Sequence, residues 1–313
     1  MRSVFFGTPE FAVPALRALH DLTQVVAVVC QPDRRSGRGM QVHAPAVKLA
    51  ALALGLPVHQ PVRVKTGELE LWLRALEVDV ALVAAYGRIL PLGVLAAPKR
   101  GCLNLHASIL PAYRGAAPIV WALVNGERAT GISLMQMDAG MDTGPVYAVR
   151  RLPIAPETNA GELTTALANL AADVVRHEFL AALDGRLEPV PQNDNLATAA
   201  PPITKEHLSL DWRQSSAQIV NRIRALAPTP GAFTFAGDRR LKVLEARVGS
   251  SGVSGAAGQV VAGGAAVEVA CGTGTVELWR AQVDGKNAQG GRDLLNGRVL
   301  QLGQRLGSAG DWS

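Results

Sequence analysis

The chain has 313 residues, 48% hydrophobic and 18% charged, a balance that supports sizeable cores and excludes a disordered chain. No apolar run approaches the roughly 20 residues that span a bilayer, so no membrane segment is expected. The formal charge of +5 is uneven: residues 205–313 carry thirteen Lys/Arg against nine Asp/Glu, the first 204 eighteen against seventeen, which points to a polyanionic partner for the C-terminal part.

The N-terminus, Arg2–Phe6, reads as a first strand that meets a Gly-Thr-Pro-Glu turn too soon for a signal peptide. Gln24–Cys30, Val78–Ala84 and Gly101–Leu105 are further short Val-rich or Leu-rich runs, suited to strands covered on both faces. Helical patterns lie between them at Pro9–Leu19, Pro45–Leu54, Gly67–Leu76 and Ala117–Asn125. Such alternation predicts a parallel sheet with crossover helices, a Rossmann-like α/β domain. Thr130–Met137 and Val146–Leu152 add two strands, and Ala160–Leu183 is a long Ala/Leu-rich helix.

After Gly185 the texture changes. Residues 188–207, "EPVPQNDNLATAAPPITKEH", hold four prolines and many small polar residues, the composition of a linker. One helix follows near Ser215–Leu226, then short Val-rich strands alternate with Gly-rich turns, as in a small OB-like β-barrel. The expected division is a domain over 1–188, a linker over 189–207 and a barrel over 208–313. Three scattered cysteines, Cys30, Cys102 and Cys271, have no metal-type spacing and suit a reducing cytoplasm.

The chemistry gathers in two places. Asn104 and His106 are two apart on an extended segment, so both project from one face. They lie at the C-terminal end of a predicted parallel strand, the edge where open α/β sheets bind ligands. Pro111 fixes the exit of the turn that follows. The second place is the glycine loop "MDAGMDTG" after the strand Gly131–Met137, which carries Asp138 and Asp142. An aspartate there is either a turn residue or a carboxylate presented to a histidine, where it would favour the charged imidazole and fix its tautomer. With no Ser or Cys nucleophile beside them, Asn, His and Asp do not form a hydrolase triad. They suit transfer of an acyl group to an amine, with Asn and His on the oxyanion and Asp moving the proton.

"LNLHASILPAYRGAAPI" followed by "MDAGMDTG" resembles the folate-dependent formyltransferases. The resemblance spans nearly the whole chain and is greatest to members that formylate charged initiator tRNA. It includes "FFGTPEFAVPALRAL" at 5–19, "QPDRRSGRG" at 31–39 and "AAYGRILP" at 84–91. In the C-terminal part it includes "LDW" at 210–212, "IRALAPTPGAF" at 223–233, "LKVLEA" at 241–246 and "DLLNGR" at 293–298. The resemblance implies catalytic roles for Asn104, His106 and Asp142. It implies a folate-binding segment of Ser108, Ile109, Leu110 and Pro111, with Ile109 where Leu is usual. It also implies tRNA contacts from Arg34, Arg35 and above all Arg38. The implied reaction moves the formyl group of 10-formyltetrahydrofolate to the α-amino group of methionine on initiator tRNA. No membrane and no obligate protein partner are implied. Tyr113 stands where Trp is common, Met40 and Gln41 where lysines are common, and Pro202 where Lys is common.

The shared catalytic cluster leaves open another family member, one that formylates a ribonucleotide or an amino sugar nucleotide. The basic loop and the barrel favour tRNA. A nicotinamide cofactor is not expected, because "GTPEF" lacks the second and third glycines of the dinucleotide fingerprint. A metal is not expected either, since His20, His43, His59, His106, His177 and His207 lack ligand spacing.

Overall fold

Runs of Val, Leu and Ala too short for helices pair into a sheet covered on both faces, and this sheet carries the first half of the chain. The computed structural model describes residues 1–36, 41–249 and 252–307. They form two units: Met1–Pro118 with Ala129–Pro153 and Thr164–Pro201, and Ile119–Arg128 with Ile154–Leu163 and everything from Pro202 onward. The division is not a single cut, because two short segments of the first half belong with the second unit.

In the first unit the strands are β1 (Arg2–Gly7), β2 (Gln24–Val29), β3 (Arg34–Ser36), β4 (Gln41–His43), β5 (Val58–His59), β6 (Val80–Ala84), β7 (Cys102–His106), β8 (Ala129–Gln136) and β9 (Val146–Pro153). Seven of them form one sheet in the order β5-β2-β1-β6-β7-β8-β9, while β3 and β4 pair only with each other. Strands β5 to β7 in that order are parallel, as the alternation predicts. The pairs β7–β8 and β8–β9 are antiparallel, so the sheet is mixed at this edge. A loop as short as the one from β8 to β9 cannot make a parallel crossover, which needs a dozen residues or more.

Phe5 and Phe6 show why the sheet is buried on both sides: neighbours in one strand face opposite ways, and both are fully buried. Phe6 packs with Leu69 and Leu73 of the helix Glu68–Ala75, and its ring meets Tyr86 edge-on at 5.4 Å. The predicted long helix runs as α-helix over Ala160–Val174, a π turn over Val175–Phe179 and α-helix again over Leu180–Leu183.

The second unit holds a helix, Ser216–Leu226, started by a capping box in which Ser215 and Gln218 satisfy each other's backbone N–H groups. Its strands are β10 (Ala232–Ala236), β11 (Arg239–Val248), β12 (Val260–Gly263), β13 (Val267–Ala270), β14 (Thr275–Val283), β15 (Gln289–Gly290) and β16 (Leu306–Gly307). They pair antiparallel in the order β12-β13-β14-β11-β10-β16, with β15 on β14. A bridge between Gln259 and Arg305 joins the two ends of that order, so the sheet curls back on itself. Ile219, Ile223 and Leu226 share one core with Leu241, Val243, Val267, Val276 and Leu278 of the sheet.

Trp212 and Thr234 close this core with a polar chain. The buried indole N–H donates to Thr234 Oγ1 at 2.9 Å, and that hydroxyl donates to the Gly307 carbonyl at 3.0 Å. Thr234→Val keeps the shape but strands a buried donor and a buried acceptor. It should destabilise the protein by about 1–3 kcal/mol, read as a lower thermal midpoint.

Candidate active site

The strand β7 is apolar on one side and polar on the other. Leu103 and Leu105 are buried in packing, while Asn104 and His106 project from the opposite face and are only 9% and 6% exposed. The register holds them firmly: Asn104 lies between Val83 of β6 and Met135 of β8, and His106 pairs with Ser133. Among the described residues the Asn104 carboxamide has no protein hydrogen-bond partner.

His106 is oriented from both sides of its ring. Nε2 lies 2.8 Å from the Tyr113 carbonyl, and Nδ1 lies 3.5 Å from Asp142 Oδ2. A carbonyl only accepts, so Nε2 carries a hydrogen and is committed. Nδ1 has the looser contact, which makes it the nitrogen able to serve a reacting group.

Asp142 arrives on the loop that leaves β8 where the Met137 N–H binds the Cys102 carbonyl at 2.8 Å. The residue has φ 57°, a left-handed conformation that Asp tolerates better than most side chains. Its Oδ2 accepts from the Gly115 N–H at 2.9 Å. Asp138 behaves differently: its Oδ1 accepts from the Gly140 N–H at 3.0 Å and from the Thr143 hydroxyl at 2.7 Å. Asp138 is thus a turn brace, and of the two aspartates Asp142 is the one beside the imidazole.

The segment Ser108–Pro111 continues from His106. Ser108 is fully buried, and its hydroxyl donates to the Ala112 carbonyl at 2.6 Å. Leu110 is also buried, whereas Ile109 and Pro111 keep some exposure. A residue that sequence reasoning passed over holds this segment to the sheet. Ser133 donates to the Ser108 carbonyl at 2.7 Å and accepts from the Leu110 N–H at 3.1 Å, with no exposure at all. Its one signal is a hydroxyl inside the otherwise apolar run "GISLM".

The larger omission is the stretch that reads as a linker. Its first part is bonded along the site: Thr198 Oγ1 accepts from the Tyr113 N–H at 2.8 Å, the Arg114 N–H donates to the Thr198 carbonyl at 2.8 Å, the Ala200 N–H donates to the Arg114 carbonyl at 2.7 Å, and Val190 bridges to Val146. Gln192 joins it to the Asp142 loop. Its Nε2 donates to the Asp142 and Gly144 carbonyls at 2.8 and 2.7 Å, and its Oε1 accepts from Arg114 Nε and Nη2 at 3.0 and 2.8 Å.

The two described flanks of the basic loop pair with each other, which its glycine-rich sequence does not predict. Arg34, Arg35 and Ser36 pair with His43, Val42 and Gln41 as a two-stranded ribbon. Arg34 donates to Gln31 Oε1, and Gln31 Nε2 donates to the Tyr86 carbonyl at 2.9 Å. The ribbon is thereby tied to the "AAYGRILP" loop beyond β6. Asp33, on the surface, is held below the usual carboxylate range by its bonds from Gln60 and Lys48. Arg38 lies outside the described residues. Burial pushes the Tyr86 phenol up to about 12, although Arg88 opposes the shift, so Tyr86 stays neutral near pH 7.

A mixed α/β sheet carries a buried Asn-His pair at the end of a central strand, with an aspartate turned onto the imidazole, an arrangement chemically suited to acyl transfer. The profile of the formyl transferase family matches residues 1–177, and that of the formyl transferase C-terminal domain matches residues 202–299. The chain belongs to the formyl transferase family and is an enzyme of folate-dependent formyl transfer. Its full-length relatives are more specific. The methionyl-tRNA formyltransferase of Sorangium cellulosum is 56% identical over 310 residues, covering 98% of this chain and 100% of its own. That of Myxococcus xanthus is 46% identical over 310 residues, covering 99% of each. Among solved structures, HypX from Aquifex aeolicus in complex with tetrahydrofolic acid superposes with a TM-score of 0.62 at 19% identity. It covers 96% of this chain, which spans about half (48%) of that protein; at such identity the likeness concerns the fold.

Proposed function

We propose that this enzyme transfers the formyl group of 10-formyltetrahydrofolate to the α-amino group of methionine carried by initiator tRNA. The observation that carries the reading is the Asn104–His106–Asp142 arrangement in a chain matched end to end by methionyl-tRNA formyltransferases. The amine nitrogen attacks the formyl carbon, a C–N bond forms, and the carbonyl oxygen becomes an oxyanion. The Asn104 amide and, with the imidazole in its protonated form, His106 Nδ1–H donate to it. Asp142, fixed by the Gly115 N–H, takes the amine proton through a water. The bond from carbon to folate N10 then breaks and N10 takes up one proton, so transfer is proton-neutral overall. Ile109 and Pro111 contribute exposed apolar surface to the folate, while Ser108 and Leu110 shape the segment from inside.

The test is direct. The enzyme is incubated with 10-formyltetrahydrofolate and charged initiator tRNA, and the expected product is formylmethionyl-tRNA. No formylation of the tRNA, with formylation of an amino sugar nucleotide or a ribonucleotide amine instead, would replace this reading by its nearest rival.

Initiator tRNA is held in this reading by the basic loop and the barrel, and the site acts in the cytoplasm, where three free, buried cysteines are at home. Two features support the barrel's part. The outward-facing Phe233 and Phe235 meet edge-on at 5.8 Å, and Arg240 lies 4.0 Å over the Phe233 ring, an aromatic and basic surface of the kind that binds nucleic acid. The loop contributes Arg34, Arg35 and Arg38, whose guanidinium groups suit bidentate contacts to phosphate. Arg38→Ala should weaken productive use of tRNA while folate affinity stays nearly unchanged. Each lost phosphate contact should flatten the slope of log affinity against log salt by about 0.7–0.9. A variant with wild-type tRNA kinetics would return the loop to an ordinary solvated surface.

A further inference from the structure

Gln192 has every hydrogen-bonding position of its amide filled. Two N–H groups reach the carbonyls of Asp142 and Gly144, and its oxygen takes two N–H groups of Arg114. The orientation is fixed, because carbonyls only accept and guanidinium only donates. Arg114 is itself anchored by Asp194 Oδ1 at 2.8 Å and is 14% exposed. The next residue along from Arg114 is Gly115, whose N–H holds the Asp142 carboxylate. One amide therefore ties the backbone of the Asp142 turn to the very loop that grips the Asp142 side chain.

We infer that Gln192 is a positioning residue for formyl transfer, setting the Asp142 carboxylate against His106 without itself touching substrate. This rests on the reading of Asp142 as the proton-handling carboxylate. Without Gln192 the turn loses the two side-chain bonds to its carbonyls, and only the Gly115 N–H is left to hold the carboxylate, 3.5 Å from the imidazole. Errors of about 1 Å in such a placement cost up to 10²-fold in rate.

The test is a double-mutant cycle on the full-length enzyme with 10-formyltetrahydrofolate and charged initiator tRNA, comparing wild type, Gln192→Ala, Asp142→Asn and the double variant. Gln192→Ala should lower kcat about tenfold or more, with KM for both substrates within about twofold. If Gln192 acts through Asp142, the double variant should turn over within about twofold of Asp142→Asn alone, because the two losses are then not additive. Gln192→Glu covers the case in which the alanine variant folds poorly. It keeps the size and the bond to Arg114 but points an acceptor at two carbonyls, so it should lose turnover to the same degree. Wild-type kcat in both Gln192 variants, or losses that multiply in the double variant, would overturn the inference while leaving Asp142 in place. An Asp142→Asn enzyme with wild-type turnover would instead overturn the reading on which it rests.

Discussion

Asn104→Ala and His106→Ala should each reduce kcat by about 10²–10³, equivalent to about 2.7–4 kcal/mol of lost transition-state stabilisation, while the fold survives. The size of the effect comes from where the two side chains sit. They are almost fully buried, so a donor there acts on an oxyanion with little screening by water. Their backbone is also held in place, since β7 is hydrogen-bonded between β6 and β8 on either side. Stability is affected differently. The Asn104 carboxamide supports no other described group, so its removal strands nothing. His106→Ala frees the Tyr113 carbonyl and takes a neighbour from Asp142, and should lower the thermal midpoint by more than Asn104→Ala does. Single-turnover rates with saturating folate and tRNA, set beside thermal unfolding of the same samples, check both claims. Near-normal turnover in either variant would mean that the oxyanion is stabilised elsewhere.

Much of this candidate site is legible in the sequence alone. Buried parallel strands read as continuous apolar runs, so β1, β2, β6 and β7 stood out, and a polar pair on the last of them was conspicuous. The choice of Asp142 as the candidate carboxylate rests on the glycine loop after β8 and the family resemblance, because nothing local in the sequence separates it from Asp138. What stayed hidden has a common cause. Thr198, Gln192 and Asp194 bond to Tyr113 and Arg114 across 78 to 85 residues of sequence, each through a side-chain oxygen. Small polar residues and prolines carry no periodic signal for such contacts, so the segment reads as a tether. The ribbon of β3 and β4 is hidden for a related reason: three-residue strands such as Arg-Arg-Ser and Gln-Val-His are too short to show the apolar alternation that marks a strand. The antiparallel edge of the first sheet was open to inference, since the β8–β9 loop is too short for a crossover.

Gly115→Ala should cost about 10²-fold in turnover and about 1–3 kcal/mol in stability, although it adds only one methyl group. Two separate penalties meet at this residue. Its φ of +125° is a conformation that side chains rarely adopt, and a Cβ placed there would lie 2.7 Å from the Ala200 carbonyl oxygen. The obstacle is backbone, fixed by the bonds that Ala200 shares with Arg114 and Ala117, so it cannot swing aside as a flexible side chain would. Either the strap of residues 198–200 or the 114–116 loop has to move. Both movements displace the Gly115 N–H from Asp142 Oδ2, now 2.9 Å away, and with it the carboxylate. A control separates strain from the loss of that bond. Gly185 also has a positive φ, +79°, but nothing within 4 Å of its would-be Cβ. Gly185→Ala should therefore lower the thermal midpoint with turnover unchanged. If Gly115→Ala behaves like Gly185→Ala, its N–H does not set the catalytic carboxylate, and the placement of Asp142 must come from the Gln192 side alone.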